Sequence, residues 1–259
     1  MNERQRVSVV IPVKNDASSL ARCLTALTTQ TRSADQIVVV DNGSEDASID
    51  VARRFGALVV IERTPGIPAA AAAGYDAASG HIILRLDADC VPPPEWVEHV
   101  VAAFCAMPTV SAVTGGARFV DGPRAVRRVG ATVYLGAFSI AMTLALGHTP
   151  LFGSNCAFRR DAWLDIRDVV HRRDPLLHDD VDLSLHLGPV RRIAYVRGIT
   201  MGISSRPLTA PPGALLLRIR MGFHSLAAHW PHHLPWLRIA RRLMRLPSSD
   251  TAHEGAGRS

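Results

Sequence analysis

The sequence predicts an α/β protein whose core is a mostly parallel sheet flanked by helices. Three observations point there. Short apolar, β-branched runs recur through the first third of the chain, each long enough for a buried strand. Segments of about a dozen residues with helical spacing separate them. Polar residues then follow the end of each run: Asn15 and Asp16, Asp41 and Asn42, Arg63, Asp87 and Asp89. Parallel strands covered on both faces read as continuous apolar runs, and their ligand crevice lies beyond the carboxyl ends.

Val7–Val13 is the first strand, and Ser18–Gln30 follows as a helix with Leu20, Leu24 and Leu27 on one face. Gln36–Val40 is a second strand, Asp46–Phe55 a helix, and Leu58–Ile61 a third strand. Ile67–Ala78 is alanine-rich and helical, closing at Gly80 before a fourth strand, His81–Leu86. The second half is less regular. Pro92–Pro94 introduces a helix over Glu95–Cys105, and Val110–Thr114 reads as a strand. An uncharged stretch, Val129–Gly147, comes next, then a strand at NCAF and short helices over Asp161–Val169 and His178–Leu187. Ile193–Val196 and Thr200–Ile203 read as two short strands. Pro211 and Pro212 open a basic helical extension over 207–246, and the small polar tail 247–259 predicts disorder. A main domain over 1–206 follows, with a regular half at 1–115 and a less regular half at 116–206.

Composition bounds the function classes. With 47% hydrophobic and 20% charged residues among 259, the chain buries a sizeable core. A net charge of +6 favours anionic partners such as nucleotides or membrane surfaces, and nothing in it singles out nucleic acid. The four cysteines, Cys23, Cys90, Cys105 and Cys156, are widely spaced, which argues for free thiols and a reducing compartment. Charges stand directly before the first strand, so no secretory signal is expected.

Asp87-Ala88-Asp89 is the central motif. A nucleoside diphosphate carries a divalent cation, and a hard cation takes carboxylate oxygens. Two aspartates one residue apart, on the turn after a buried strand, can share the metal and the nucleotide. D-x-D also occurs by chance in surface loops, so the strand end is what lends it weight.

The series VSVVIPVKND, IVVVDNGSEDAS, ILRLDADCVPPPEW, FGSNCAFRRDAW and HDDVDLSL, in this order, resembles glycosyltransferase family 2 over residues 5–206. The resemblance implies a GT-A fold with a Rossmann-like sheet, and an inverting, non-processive enzyme. It implies Mg²⁺ or Mn²⁺ at Asp87 and Asp89, with Asp89 the more direct ligand. Pro12, Asn15, Asp16 and Asp41 would cradle the nucleotide, with Arg206 near its phosphates. Gly153, Ser154, Asn155 and Asp179 match the acceptor side, and Asp180 the general base. A UDP-sugar is the expected donor and a saccharide or lipid-linked molecule the acceptor. The same residues also fit structural roles: Asp41 as a turn residue, Gly153–Asn155 as an ordinary turn, Asp179 and Asp180 as a helix N-terminus where carboxylates are favourable anyway.

One departure stands out. Where the family commonly reads G-x-x-x-A-R-N-x-G, this chain has Gly66 to Gly74 as GIPAAAAAG, with Ala71 and Ala72 in place of Arg and Asn. Arg63 is a candidate replacement for the lost charge. The alternative function is a non-catalytic or degenerate nucleotide-binding module.

Val129–Gly147 approaches the length of a membrane span. A crossing there would separate Asp87 and Asp89 from Asp180, so a buried or interfacial helix is expected. Arginines and aromatics past Pro211 fit a helix lying on an anionic membrane, which with the charge pattern suggests a cytoplasmic protein peripheral to the inner face. They fit a packed helix with a solvated basic face equally well. His224, His229, His232 and His233 read as surface histidines.

Overall fold

A computed structural model describes residues 4–123, 127, 130–206 and 212–229. Seven strands form one sheet: β1 Val7–Val13, β2 Gln36–Asp41, β3 Leu58–Ile61, β4 Ile82–Arg85, β5 Ala112–Phe119, β6 Cys156–Arg159 and β7 Ile193–Ile203. Their order is β3-β2-β1-β4-β6-β5-β7. β6 runs antiparallel to both β4 and β5, and the other pairings are parallel. Strands of both halves of the chain therefore share one sheet.

Eight helices belong to the described residues: α1 Ala17–Thr28, α2 Ser48–Arg54, α3 Ile67–Ala77, α4 Trp96–Ala106, α5 Ala131–Leu146, α6 Arg160–Ile166, α7 Asp179–Leu187 and α8 Pro212–Ala227. Alternation along β1 explains the two layers. Val7, Val9, Ile11 and Val13 face a core shared with Leu20, Leu24 and Leu27 of α1 and Trp96, Val100 and Phe104 of α4. Val10 faces the other core, with Ala70, Ala71, Ala72 and Tyr75 of α3, Trp163 of α6 and Leu183 of α7. Both faces of the strand are buried, so the run shows no polar alternation.

The alanine run has a packing cause. A Cβ on Gly74 would stand 2.3 Å from Val10 Cγ1 and 2.8 Å from Val40 Cγ2, so α3 lies hard against the sheet and only small residues fit. Ala71 and Ala72 face this core, where an Arg or Asn would bury an unpaired polar group.

Most boundaries shift by one to three residues, and two strands differ more. The strand expected over Val110–Thr114 continues to Phe119, and the two short strands after Arg192 are one strand, β7. A register irregularity opposite Thr114 and Gly116 accounts for the apparent break. α5 is 16 residues long, about 24 Å at ~1.5 Å per residue, short of the ~30 Å hydrocarbon layer. Among the described residues no helix is long and apolar enough to cross a membrane. Met142 and Leu146 of α5 pack on Val181 and Leu185 of α7, while Val133, Ile140 and Leu144 are exposed. The expected extension over 207–246 is described only in α8 and the turn to His229; its remainder and the tail lie outside the described residues.

Candidate active site

The carboxyl ends of β1, β2 and β4 open on a cleft of about 500 Å³. Pro12, Asp16, Asp87, Asp89, Ser154 and Arg206 line it, and Lys14 joins them. The volume suits a nucleotide-sized ligand.

Two loops frame the entrance. Asn15 adopts a positive φ of 51°, a conformation asparagine tolerates. Its Oδ1 accepts from the Glu45 N–H at 2.7 Å, and its own N–H donates to Ser44 Oγ at 3.0 Å. Asp41 accepts from the N–H groups of Gly43 and Ser44. Both side chains thus shape the loops, and neither lines the cleft. Arg63 is exposed and off the cleft lining.

Asp16 begins α1 without capping it, which leaves its carboxylate to Arg206 at 2.7 Å. The same Arg206 nitrogen lies 3.0 Å from Asp89. Burial raises the pKa of Asp89, the nearby Asp87 raises it further, and Arg206 pulls the other way.

Arg85 is the residue that motif matching passed over. It is buried at the end of β4, with Nη2 3.0 Å from Asp87 and 3.1 Å from Asp179 Oδ2. The contact to Asp179 Oδ2 is an ion pair outside hydrogen-bond geometry, and Arg85 Nε has no partner. Arg85 is the cation that answers Asp179. An arginine inside IILRL is itself a signal, because a buried charge requires a counter-charge. Burial pushes Asp179 up to about 6; Arg85 opposes this, and Asp180 and Asp87 add to it.

The turn at Gly153–Asn155 sits between these groups. Ser154 Oγ donates to Asp87, and the Gly153 N–H donates to Asp180 Oδ2 at 2.9 Å. A Cβ on Gly153 would meet Arg85 Nη1 at 2.2 Å and Asp180 Oδ2 at 3.2 Å. Glycine there lets α7 and β4 close on the turn. Asn155 points the other way: it accepts from Trp96 Nε1 at 2.9 Å and donates to the carbonyls of Gly116 and Ile199. It is fully buried and holds β5 to β7.

Asp87, Asp89 and Cys90 place ligand atoms within 4.8 Å of one another. Burial pushes the Cys90 thiol well up, with Asp87 and Asp89 adding to the rise, so it stays protonated. The carboxylates are the ligands on offer to a hard cation. Five carboxylates (Asp16, Asp87, Asp89, Asp179, Asp180) gather around two guanidiniums, Arg85 and Arg206, leaving an anionic excess a divalent cation would offset.

The mostly parallel sheet, crossed by one antiparallel strand and ending in carboxylates, has the GT-A class of fold. The Glycosyl transferase family 2 model matches residues 8–166, and the chain belongs to that family. Glycosyltransferase AglE of Haloferax volcanii is 38% identical over 106 residues, covering 38% of this chain and 35% of that protein. An undecaprenyl-phosphate 4-deoxy-4-formamido-L-arabinose transferase of Aeromonas hydrophila is 36% identical over 107 residues, 38% of this chain and 33% of its own. The chain thus spans about a third of the length of these curated relatives. M. tuberculosis glucosyl-3-phosphoglycerate synthase, solved with Mn²⁺ and UDP-glucose, shares the fold at TM-score 0.60 and 21% identity, over 87% of this chain and 79% of that one. So does mannosyltransferase PcManGT from Pyrobaculum calidifontis with GDP-Man and Mn²⁺, at TM-score 0.61 and 22% identity, over 95% and 66%.

Proposed function

We propose that this chain transfers a sugar from a nucleoside-diphosphate donor to an acceptor hydroxyl with inversion, Asp180 acting as general base. One continuous network carries the reading. Asp87 on the donor side bonds Ser154, and the adjacent Gly153 bonds Asp180. Donor carboxylates and base thereby meet at one turn. A base near the acceptor takes the hydroxyl proton as the new bond forms, and inversion needs no covalent intermediate.

Asp87 and Asp89 would hold Mg²⁺ or Mn²⁺, and the cation would offset charge on the departing diphosphate. The solved structures of like fold that hold Mn²⁺ with UDP-glucose or GDP-Man support that choice. Arg206 would swing from Asp16, Asp89 and Ser19 toward the phosphates; its side chain is half-exposed.

The acceptor is a lipid-linked saccharide in this reading. A second cavity of about 450 Å³ shares Phe152 with the cleft and is lined by Leu135, Phe138 and Tyr195. The exposed Val133, Ile140 and Leu144 of α5 would meet the bilayer beside it. The Aeromonas relative's name supports a polyprenyl-type carrier.

Thermal shifts with UDP-, GDP- and dTDP-sugars, each with and without Mn²⁺, test the donor. One of them is expected to raise Tm only with the metal, since a ligand that binds the folded state stabilises it. If none does, the reading fails.

A further inference from the structure

A second cluster of metal-ligating side chains gathers about α7. It comprises His171 from the α6–α7 loop, Asp182 and His186 from α7, and His229 just past α8. One candidate ligand atom from each lies within 4.8 Å of all the others.

The atoms converge on a point. Asp182 Oδ1 is 2.7 Å from His171 Nδ1, 2.9 Å from His229 Nε2 and 3.5 Å from His186 Nε2. His186 Nε2 and His229 Nε2 are 3.3 Å apart. Two nitrogens each about 2.05 Å from a tetrahedral zinc ion also lie about 3.3 Å apart.

Hydrogen bonding fixes one tautomer. His229 Nδ1 lies 2.7 Å from the Ser225 carbonyl, an acceptor, so Nδ1 carries the hydrogen. In the neutral ring Nε2 then turns a lone pair toward a carboxylate oxygen and a second ring nitrogen. Something positive must lie among them: an extra ring proton or a metal ion. Orientation of a ligating ring by a carbonyl on its other nitrogen is the usual support of a metal-bound histidine. Asp182 brings a carboxylate oxygen into the midst of the three ring nitrogens.

We propose that His171, Asp182, His186 and His229 form a closed tetrahedral zinc site that pins α8 and the α6–α7 loop to the helix bearing Asp179 and Asp180. Four protein ligands leave no open position, so its role is structural. Ser225 Oγ of α8 already accepts from the His178 N–H at 2.8 Å, one residue before Asp179. Metal binding would make that docking firm. The site is independent of Asp87 and Asp89, and it stands whether or not the transfer reading does.

The test uses the full chain carrying Asp87→Asn and Asp89→Asn, stripped with a chelator and reloaded with Zn²⁺ alone. One zinc per chain is expected to remain after desalting, with a raised Tm. Adding His171→Ala, whose side chain is partly exposed, is expected to weaken zinc binding by at least the ~10–100-fold typical of lost support around a metal. Equal zinc content and equal Tm gain with and without His171→Ala would overturn the proposal. Cobalt loading of the same chain without His171→Ala needs no further variant to fold. Intense visible bands of four-coordinate Co²⁺ are expected, and only the pale spectrum of six-coordinate Co²⁺ would count against it.

Discussion

Arg85 Nη2 stands 3.1 Å from the Asp179 carboxylate, joining the end of β4 to the start of α7 inside the protein. The same nitrogen reaches Asp87 at 3.0 Å. Removing one partner of a buried pair leaves an uncompensated charge, at a cost of about 3–5 kcal/mol. Arg85→Met keeps the volume and removes the charge. It is expected to lower the urea midpoint by an amount in that range with an unchanged m-value. A loss below about 1 kcal/mol, the level of an exposed pair, would mean that water reaches the site.

Asp179 makes stability depend on pH in a definite direction. Its folded pKa, about 6, lies above its ordinary value of 3.8. Between these the folded chain holds the extra proton, so this group's contribution is fully present at low pH and falls as pH rises through the window. Asn mimics the protonated carboxyl. The Tm difference, Asp179→Asn minus wild type, is therefore expected to grow from about pH 4 to pH 6 and then level off. A flat difference across that range would place the Asp179 titration elsewhere.

Much of this was legible beforehand, and the misses have physical causes. β1 and β3 match residue for residue because β-branched runs bounded by polar turns admit no other period. β7 did not read as one strand, because its register break hides the continuity of an edge strand. Cleft residues at strand ends, such as Asp16, Asp87 and Asp89, could be found from position alone. Arg85 could not be found by matching motifs, since its partner Asp179 is 94 residues away. The histidine cluster was hidden for the same reason: His229 reads as a surface residue, yet it is buried against α7.

Asn155 belongs to a motif read as acceptor-binding, but its amide is spent inside the fold. Asn155→Ala leaves the Trp96 N–H and the carbonyls of Gly116 and Ile199 without this partner. Each buried group left unsatisfied costs about 1–3 kcal/mol. A large drop in chemical stability is expected, while acceptor KM in the fraction that stays folded is near wild type. An acceptor KM raised tenfold with no loss of stability would restore the binding role.

Asp180→Asn tests the chemistry directly. Asn keeps the size of Asp180 and an oxygen able to accept from the Gly153 N–H, so the turn is expected to survive. It cannot take a proton. General-base catalysis contributes about 10²–10⁴-fold, so kcat is expected to fall by that factor while the metal-dependent thermal shift with donor persists. The acceptor matters to this outcome. A hydroxyl must lose its proton during transfer, whereas a phosphate oxygen is already ionised near neutral pH. Undiminished kcat would remove Asp180 as base and point to a phosphate acceptor, in line with the carrier that names the Aeromonas relative. Loss of donor binding together with kcat would instead make Asp180 part of the donor site, and the base would have to be sought elsewhere on the acceptor side.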